Sequence, residues 1–216
     1  MVPNSVMQIV ALMEIAISSA IVLICLMQAL FFKEKNNVRM MGLRVLVCLV
    51  LANLMFWPVF TLFLPLELPL AAYVRGFTGE LSITSMLLLW TAYFSPKEIH
   101  VPALMKVWIA LVAIAFYPLA LGVGMLDPYA WGYGSIALLA AVIATALIAW
   151  LAGSNRIAII LALAILAWAA GWHESTNLWD YILDPFLGLW AIASLIRSSW
   201  RARAARVQTG YLFRKG

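Results

Sequence analysis

The run Ser5–Phe32, SVMQIVALMEIAISSAIVLICLMQALFF, decides the fold, and Glu14 is its one acidic or basic side chain. A helix needs roughly 20 mainly apolar residues to cross a bilayer, and this run exceeds that. The preceding residues lack the basic n-region of a cleaved signal peptide, so the run is expected to stay as a membrane helix.

The rest of the chain agrees. Of its 216 residues, 66% are hydrophobic and 11% charged, against roughly 25% charged in an ordinary soluble domain. A soluble fold of this size could not hide that much apolar surface, so the expected solvent is lipid. Further apolar segments lie at about 43–65, 71–94, 103–125, 134–152, 157–172 and 183–200, each near the length a spanning helix needs. The expected fold is an all-α integral membrane protein, a single bundle of about seven transmembrane helices with antiparallel neighbours. Residues 1–200 form the membrane domain, and 201–216 a basic cytoplasmic juxtamembrane tail.

Basic residues set the orientation. Lys33, Lys35, Arg39 and Arg44 follow the first segment, Lys97 and Lys106 flank the loop after the third, and Arg156 sits between the fifth and sixth. Arg197, Arg201, Arg203, Arg206, Arg214 and Lys215 close the chain. With seven spans all of these share one side, and Arg75 is the exception. The positive-inside rule then puts the N-terminus outside and the C-terminus in the cytoplasm. Among the acids, Glu34 and Glu98 fall inside, while Glu67, Glu80, Asp127, Glu174, Asp180 and Asp184 fall at or near the outer side. The compact loops suit a bacterial inner membrane.

The tail mixes arginines with Trp200, Val207, Tyr211 and Phe213. It reads as an extension of the last helix, or as a segment lying on anionic lipid. Topology accounts for the net charge of +5, so no nucleic-acid partner is expected. Cys25 and Cys48 sit in apolar runs and are read as small buried hydrophobes.

Polar residues inside the apolar segments are costly and mark structural pairs or function. Glu14, Ser18, Cys25 and Gln28 share one narrow face of the first helix at about 100° per residue. In the third segment Arg75, Thr78, Ser82 and Ser85 share one face, while Gly76, Glu80, Thr84 and Thr91 share the opposite one. Polar on two sides, that helix is expected at the centre of the bundle. The intramembrane polar candidates are therefore Glu14, Asn53 and Ser82. Pro58 and Pro118 are expected to kink their helices.

Leu126-Asp127-Pro128-Tyr129 and Leu183-Asp184-Pro185-Phe186 carry the same helix-start signal, an aspartate N-cap before a proline at the first helical position. The match would allow two related hairpins, but it covers only four positions, and two ordinary caps are the preferred reading.

Polar and aromatic residues concentrate in Gly171–Trp190, where His173, Glu174, Asp180 and Asp184 lie among Trp172, Trp179, Tyr181 and Trp190. Capping is expected to occupy Asp184. The loop Asp127–Tyr133 adds Tyr129 and Trp131 to the same side. Flat aromatic faces beside carboxylates suit sugar rings, so the expected ligand-binding set is Arg75, Glu80, Asp127, Trp131, Trp172, Trp179 and Asp180. The same aromatics also suit an interfacial belt. Arg75 offers a planar donor fork for a carboxylate or phosphate.

Phosphate loops, paired-cysteine zinc spacings and nucleophile elbows are missing from the sequence. His100 and His173 fall on opposite sides, which argues against a bis-histidine haem. No cofactor and no metal are expected.

The first reading is a non-catalytic membrane subunit or scaffold of a cell-envelope complex, with protein partners and membrane lipids around it. Its outer face would handle a glycan or lipid-linked sugar. A second is a small proton- or cation-coupled transporter using Glu14, Glu80 and Arg75. A third is a membrane enzyme acting on a lipid or polyprenyl substrate, with His173 as base and Glu174 and Asp180 as partners. The topology is directly testable: a reporter fused after Gly216 should be active in its cytoplasm-dependent form alone, and activity only outside the cytoplasm would reverse the orientation.

Overall fold

The structure, a computed structural model, describes residues 4–31, 41–63, 66–94 and 101–212. Lys33, Glu34, Lys35, Arg39, Pro65, Lys97, Glu98, His100, Phe213, Arg214 and Lys215 lie outside the described residues. The described chain is all-helical, without strands. In order come α1 (Asn4–Phe31), α2 (Met41–Phe56), α3 (Leu70–Thr78), α4 (Ile83–Phe94) and α5 (Ala103–Ala120). They are followed by α6 (Ile136–Leu151), α7 (Asn155–Ala169), the short α8 (Trp179–Ile182) and α9 (Pro185–Leu212).

Two stretches, Val6–Gln28 and Ala103–Ala120, are long and apolar enough to cross a membrane. Gly42–Phe56, Ile83–Phe94, Ile136–Leu151 and Asn155–Ala169 are apolar but shorter. Backbone chemistry explains several of the short lengths. Pro58 opens a 3-10 turn over Pro58–Leu62, so α2 ends at Phe56 where a kinked but continuous helix was expected. Gly153, at φ 77°, closes the turn after α6, a left-handed conformation that suits glycine best. Pro118 lies in the last turn of α5, which runs on through it. The basic tail continues α9 as helix to Leu212.

The segment expected as one helix over 71–94 is broken in two. Gly79 turns the chain at φ 73°, its N–H bonded to the Arg75 carbonyl, and α4 restarts at Ile83. The two opposed polar faces inferred for a continuous helix therefore do not exist. Arg75 and Glu80, on opposite faces of an unbroken helix, bond to each other across the break.

α1 packs on α2, α3 and α4 around Ile15, Ala16, Ala20, Ile21, Cys48 and Ala52. Ala16 and Ala20 are almost fully buried; small side chains allow helices to approach closely. Cys48 is buried as expected, but Cys25 is exposed. α5 packs on α9, and α7 on α4 and α6. Gly188 of α9 is essential to the first of these contacts, because a Cβ there would stand 2.8 Å from Ala113 Cβ.

The two aspartate–proline signals are both occupied locally but begin different structures. Asp184 Oδ1 accepts the Leu187 N–H at 2.8 Å and caps α9. Asp127 Oδ1 accepts the N–H groups of Tyr129 and Ala130 and starts only the 3-10 turn Tyr129–Gly132. α6 has its own cap, Ser135, whose Oγ accepts the Leu138 N–H. The resemblance is thus one of capping chemistry, not of repeated hairpins.

The α5–α6 and α7–α9 connections are stitched together by Asn177, which is fully buried. Its Nδ2 donates to the Tyr129 carbonyl and its Oδ1 accepts the Trp179 N–H, both at 2.9 Å, while the next residue, Leu178, donates to the Gly132 carbonyl. Gly132 leaves room for this side chain: a Cβ would fall 1.6 Å from Asn177 Oδ1. Gly132→Ala is therefore expected to destabilise the protein by about 1–3 kcal/mol. Gly76→Ala, in a helix with nothing within 4 Å of the new Cβ, should be neutral or stabilise by about 0.5–1 kcal/mol. Thermal unfolding of both variants in detergent checks the contrast.

Candidate functional site

The α3–α4 break, the Gly171–Asp184 connection and the N-terminal half of α1 meet at one end of the molecule. There the structure brings together five charged or titratable residues from three stretches that are far apart in sequence. Arg75 Nη2 bridges Glu80 Oε1 and, at 2.9 Å, Glu174 Oε1. The His173 ring lies between two carboxylates, with Nε2 3.5 Å from Glu14 Oε2 and Nδ1 3.8 Å from Glu80 Oε2. These distances suit ion pairing when the imidazole is protonated but exceed ordinary hydrogen-bond length. Trp172 Nε1 donates to the other Glu14 oxygen at 2.7 Å.

Tyr181 holds His173 in place. The rings stack at 4.9 Å between centroids and 21° between planes. The His173 N–H donates to the tyrosine hydroxyl at 2.9 Å, and that hydroxyl donates to the Ser175 carbonyl at 2.9 Å. The His173 side chain is only 2% exposed. A cavity beside it, bordered by Glu14, Ser18, Glu80 and Met86, measures about 10 Å³. That is near the lower limit for a single water and far below the size of an organic substrate.

A larger cleft of about 650 Å³ opens on the other side of Arg75 and Glu80, bordered by Tyr117, Tyr129, Glu174 and Asp180. Asp180 Oδ2 accepts from Tyr129 Oη at 2.9 Å and also from Ser175 Oγ. Asp184, which borders the same cleft, accepts both the N–H and the hydroxyl of Ser82 on Oδ2 at 2.9 Å. Burial pushes the Tyr129 phenol above its ordinary range, and the adjoining Asp180 and Tyr133 push the same way. Burial likewise raises Tyr181.

Of the residues expected from the sequence, Arg75, Glu80 and Asp180 border the cleft. Trp179 packs its ring on Phe116 at 4.5 Å and donates Nε1 to the Pro128 carbonyl at 2.9 Å. Asp127 is occupied by backbone N–H groups, and Trp131 stands 52% exposed. Trp172 is 46% exposed but ties its indole N–H to Glu14. Asn53 satisfies itself within α2, donating to the Leu49 carbonyl at 2.8 Å. Ser18, on the polar face of α1 with Glu14, accepts from Trp90 Nε1 at 2.9 Å.

His173 and Glu174 are sequence neighbours with opposite fates, one buried and the other largely exposed. Sequence reasoning passed over Ser175, Asn177 and Tyr117. Ser and Asn gathered in a short connection between apolar runs were the available signal, since such side chains bond to local backbone. Comparison of the chain with protein-family models, curated proteins and solved structures finds no match.

The Tyr129–Asp180 bond requires a neutral phenol. An unfolded tyrosine ionises near pH 10, and in the folded protein ionisation is displaced upward. The stabilisation is therefore complete below about pH 10 and is lost as pH rises from there through the folded value. Tyr129→Phe should lower the neutral-pH unfolding temperature modestly and flatten its decline above pH 10. Thermal scans in detergent from pH 7 to 11 measure both effects.

Proposed function

We propose that this is a multi-pass helical membrane protein of about seven spans, with its N-terminus outside and its C-terminus in the cytoplasm of a bacterial cell. Its role in this reading is that of a non-catalytic subunit or scaffold of an envelope complex. The lipid environment is supported by α5, of which only 17% is buried; Leu111 and Ile114 there are more than half exposed. Side chains of this kind on most of a helix need an apolar solvent. The shorter helices would cross with help from the turns at their ends, as irregular backbone is tolerated at membrane depth when protein buries it.

The observation that carries the non-catalytic reading is the employment of the carboxylates. Asp127 and Asp184 cap backbone N–H groups, and Asp180 binds Tyr129 and Ser175. Glu80 and Glu174 share Arg75, while Glu14 holds Trp172 and faces His173. A general base must come within hydrogen-bond reach of a substrate proton, and His173 is enclosed by its own protein. The polar groups act as clamps among connections that a membrane protein must keep satisfied.

A second reading, proton- or cation-coupled transport, draws on the contiguous arrangement of Glu14, His173, Glu80 and Arg75. The two readings separate under charge-neutral substitution. In the scaffold reading, Glu14→Gln and Glu80→Gln lower the unfolding temperature yet leave a partner that co-purifies with the wild type in mild detergent still bound. Loss of cellular function with normal accumulation and normal partner retention would favour transport. A monodisperse lone monomer would count against the subunit role.

A further inference from the structure

Two cavities draw their linings from neighbouring residues of the α3–α4 region and the start of α9. The polar cleft takes Arg75, Gly79 and Glu80 from the break and Pro185 from α9. A groove of about 580 Å³, largely apolar, takes the sequence neighbours Val74, Thr78 and Leu81, then Phe186 and Trp190. Its far wall is α1, through Val22 and Leu23. Both volumes fall within the range of about 300–1,000 Å³ usual for small-molecule sites.

Buried polar atoms normally have partners. Among the described residues, Tyr117 Oη, Ser85 Oγ and His173 Nδ1 are buried without one. Tyr117 lies in the cleft and Ser85 in the groove, so each cavity holds one unused hydroxyl. The charges in the cleft are also unevenly used. Arg75 makes both its ion pairs through Nη2, Asp180 accepts both its bonds on Oδ2, and Glu174 meets Arg75 through Oε1 alone. Donors on Arg75 and acceptors on Asp180 and Glu174 thus remain available in one cleft, where four carboxylates outnumber one guanidinium.

We propose that cleft and groove together hold one membrane phospholipid with a zwitterionic ammonium–phosphate head group. The phosphate meets the remaining Arg75 donors and Tyr117 Oη. The ammonium meets Glu174 and Asp180, whose surplus negative charge disfavours an anionic head. An ester carbonyl reaches Ser85 Oγ, and an acyl chain follows the groove past Val22 and Trp190. The site rests on the membrane reading above but not on the presence of a protein partner.

The test uses the full chain purified in a non-ionic detergent and titrated with phosphatidylethanolamine, phosphatidylglycerol or free phosphoethanolamine, with bound molecules counted by native mass spectrometry. The expected result is one phosphatidylethanolamine per chain, preferred about tenfold over phosphatidylglycerol, with free phosphoethanolamine binding at least tenfold more weakly than the lipid. Glu174→Gln, at a side chain 58% exposed, should erase most of the head-group preference. Val22→Trp, introduced from an exposed position of α1, should fill the groove and weaken both lipids about tenfold; Leu23→Trp replaces it if that variant fails to fold. Equal retention of the two lipids would overturn the proposal. So would free phosphoethanolamine binding as tightly as the lipid, or unchanged binding in the groove-filling variant. A chain that stays dispersed in buffer without detergent would instead refute the membrane reading itself.

Discussion

One buried carboxylate holds the architecture of the site together. Asp184 is 6% exposed and makes bonds in two directions, capping α9 through Oδ1 and binding both the N–H and the hydroxyl of Ser82 through Oδ2. Hydrogen bonds to an ionised acceptor are worth roughly 1.5–3 kcal/mol each when both partners stay in place. The energetic weight lies in the asymmetry: an aspartate buried without those donors would be strongly unfavourable. The start of α9 is thereby tied to the start of α4, and the Gly79–Ser82 break between α3 and α4 becomes a fixed feature.

The break has consequences for charge. A continuous helix would have carried Arg75 and Glu80 on opposite sides, each in need of its own partner. Turned at Gly79, the chain folds them onto one another and leaves Arg75 able to take Glu174 as well. Glu80 then also faces His173, which in turn faces Glu14. Groups that are costly to bury singly are thus assembled into one mutually compensating cluster. Its members come from the first helix, the break and the last connection, so the cluster links parts of the chain distant in sequence.

Around that cluster, aromatic residues work as much through their polar atoms as through their faces. Tyr181 clamps the backbone of His173 and Ser175, Tyr129 reaches Asp180, and Trp179 and Trp172 donate their indole N–H groups to Pro128 and Glu14. A side chain with an apolar body and a polar tip can fill space and satisfy an acceptor at once. That dual use explains the density of Trp and Tyr in Gly171–Trp190 without requiring each ring to face a ligand.

Helical class, the approximate positions of the long helices and the capping roles of Asp127 and Asp184 were legible in the sequence. They follow from local physics: apolar run length, and the free N–H groups that any helix start presents. The concentration of polar residues in Gly171–Trp190 was legible too, but their partners were not. Whether His173 is open or enclosed depends on Glu14, Glu80 and Tyr181, and neither carboxylate lies near it in the chain. That Asp127-Pro128 begins only a single turn, which ends at Gly132 packed against Asn177, is likewise visible only in the folded chain. The Gly79 break turned two supposed faces of one helix into a single ion-paired corner, because one residue with positive φ reverses a periodicity argument. Run length and capping are properties of neighbours along the chain; pairing and enclosure belong to the packing of helices, and the tertiary structure alone decided them.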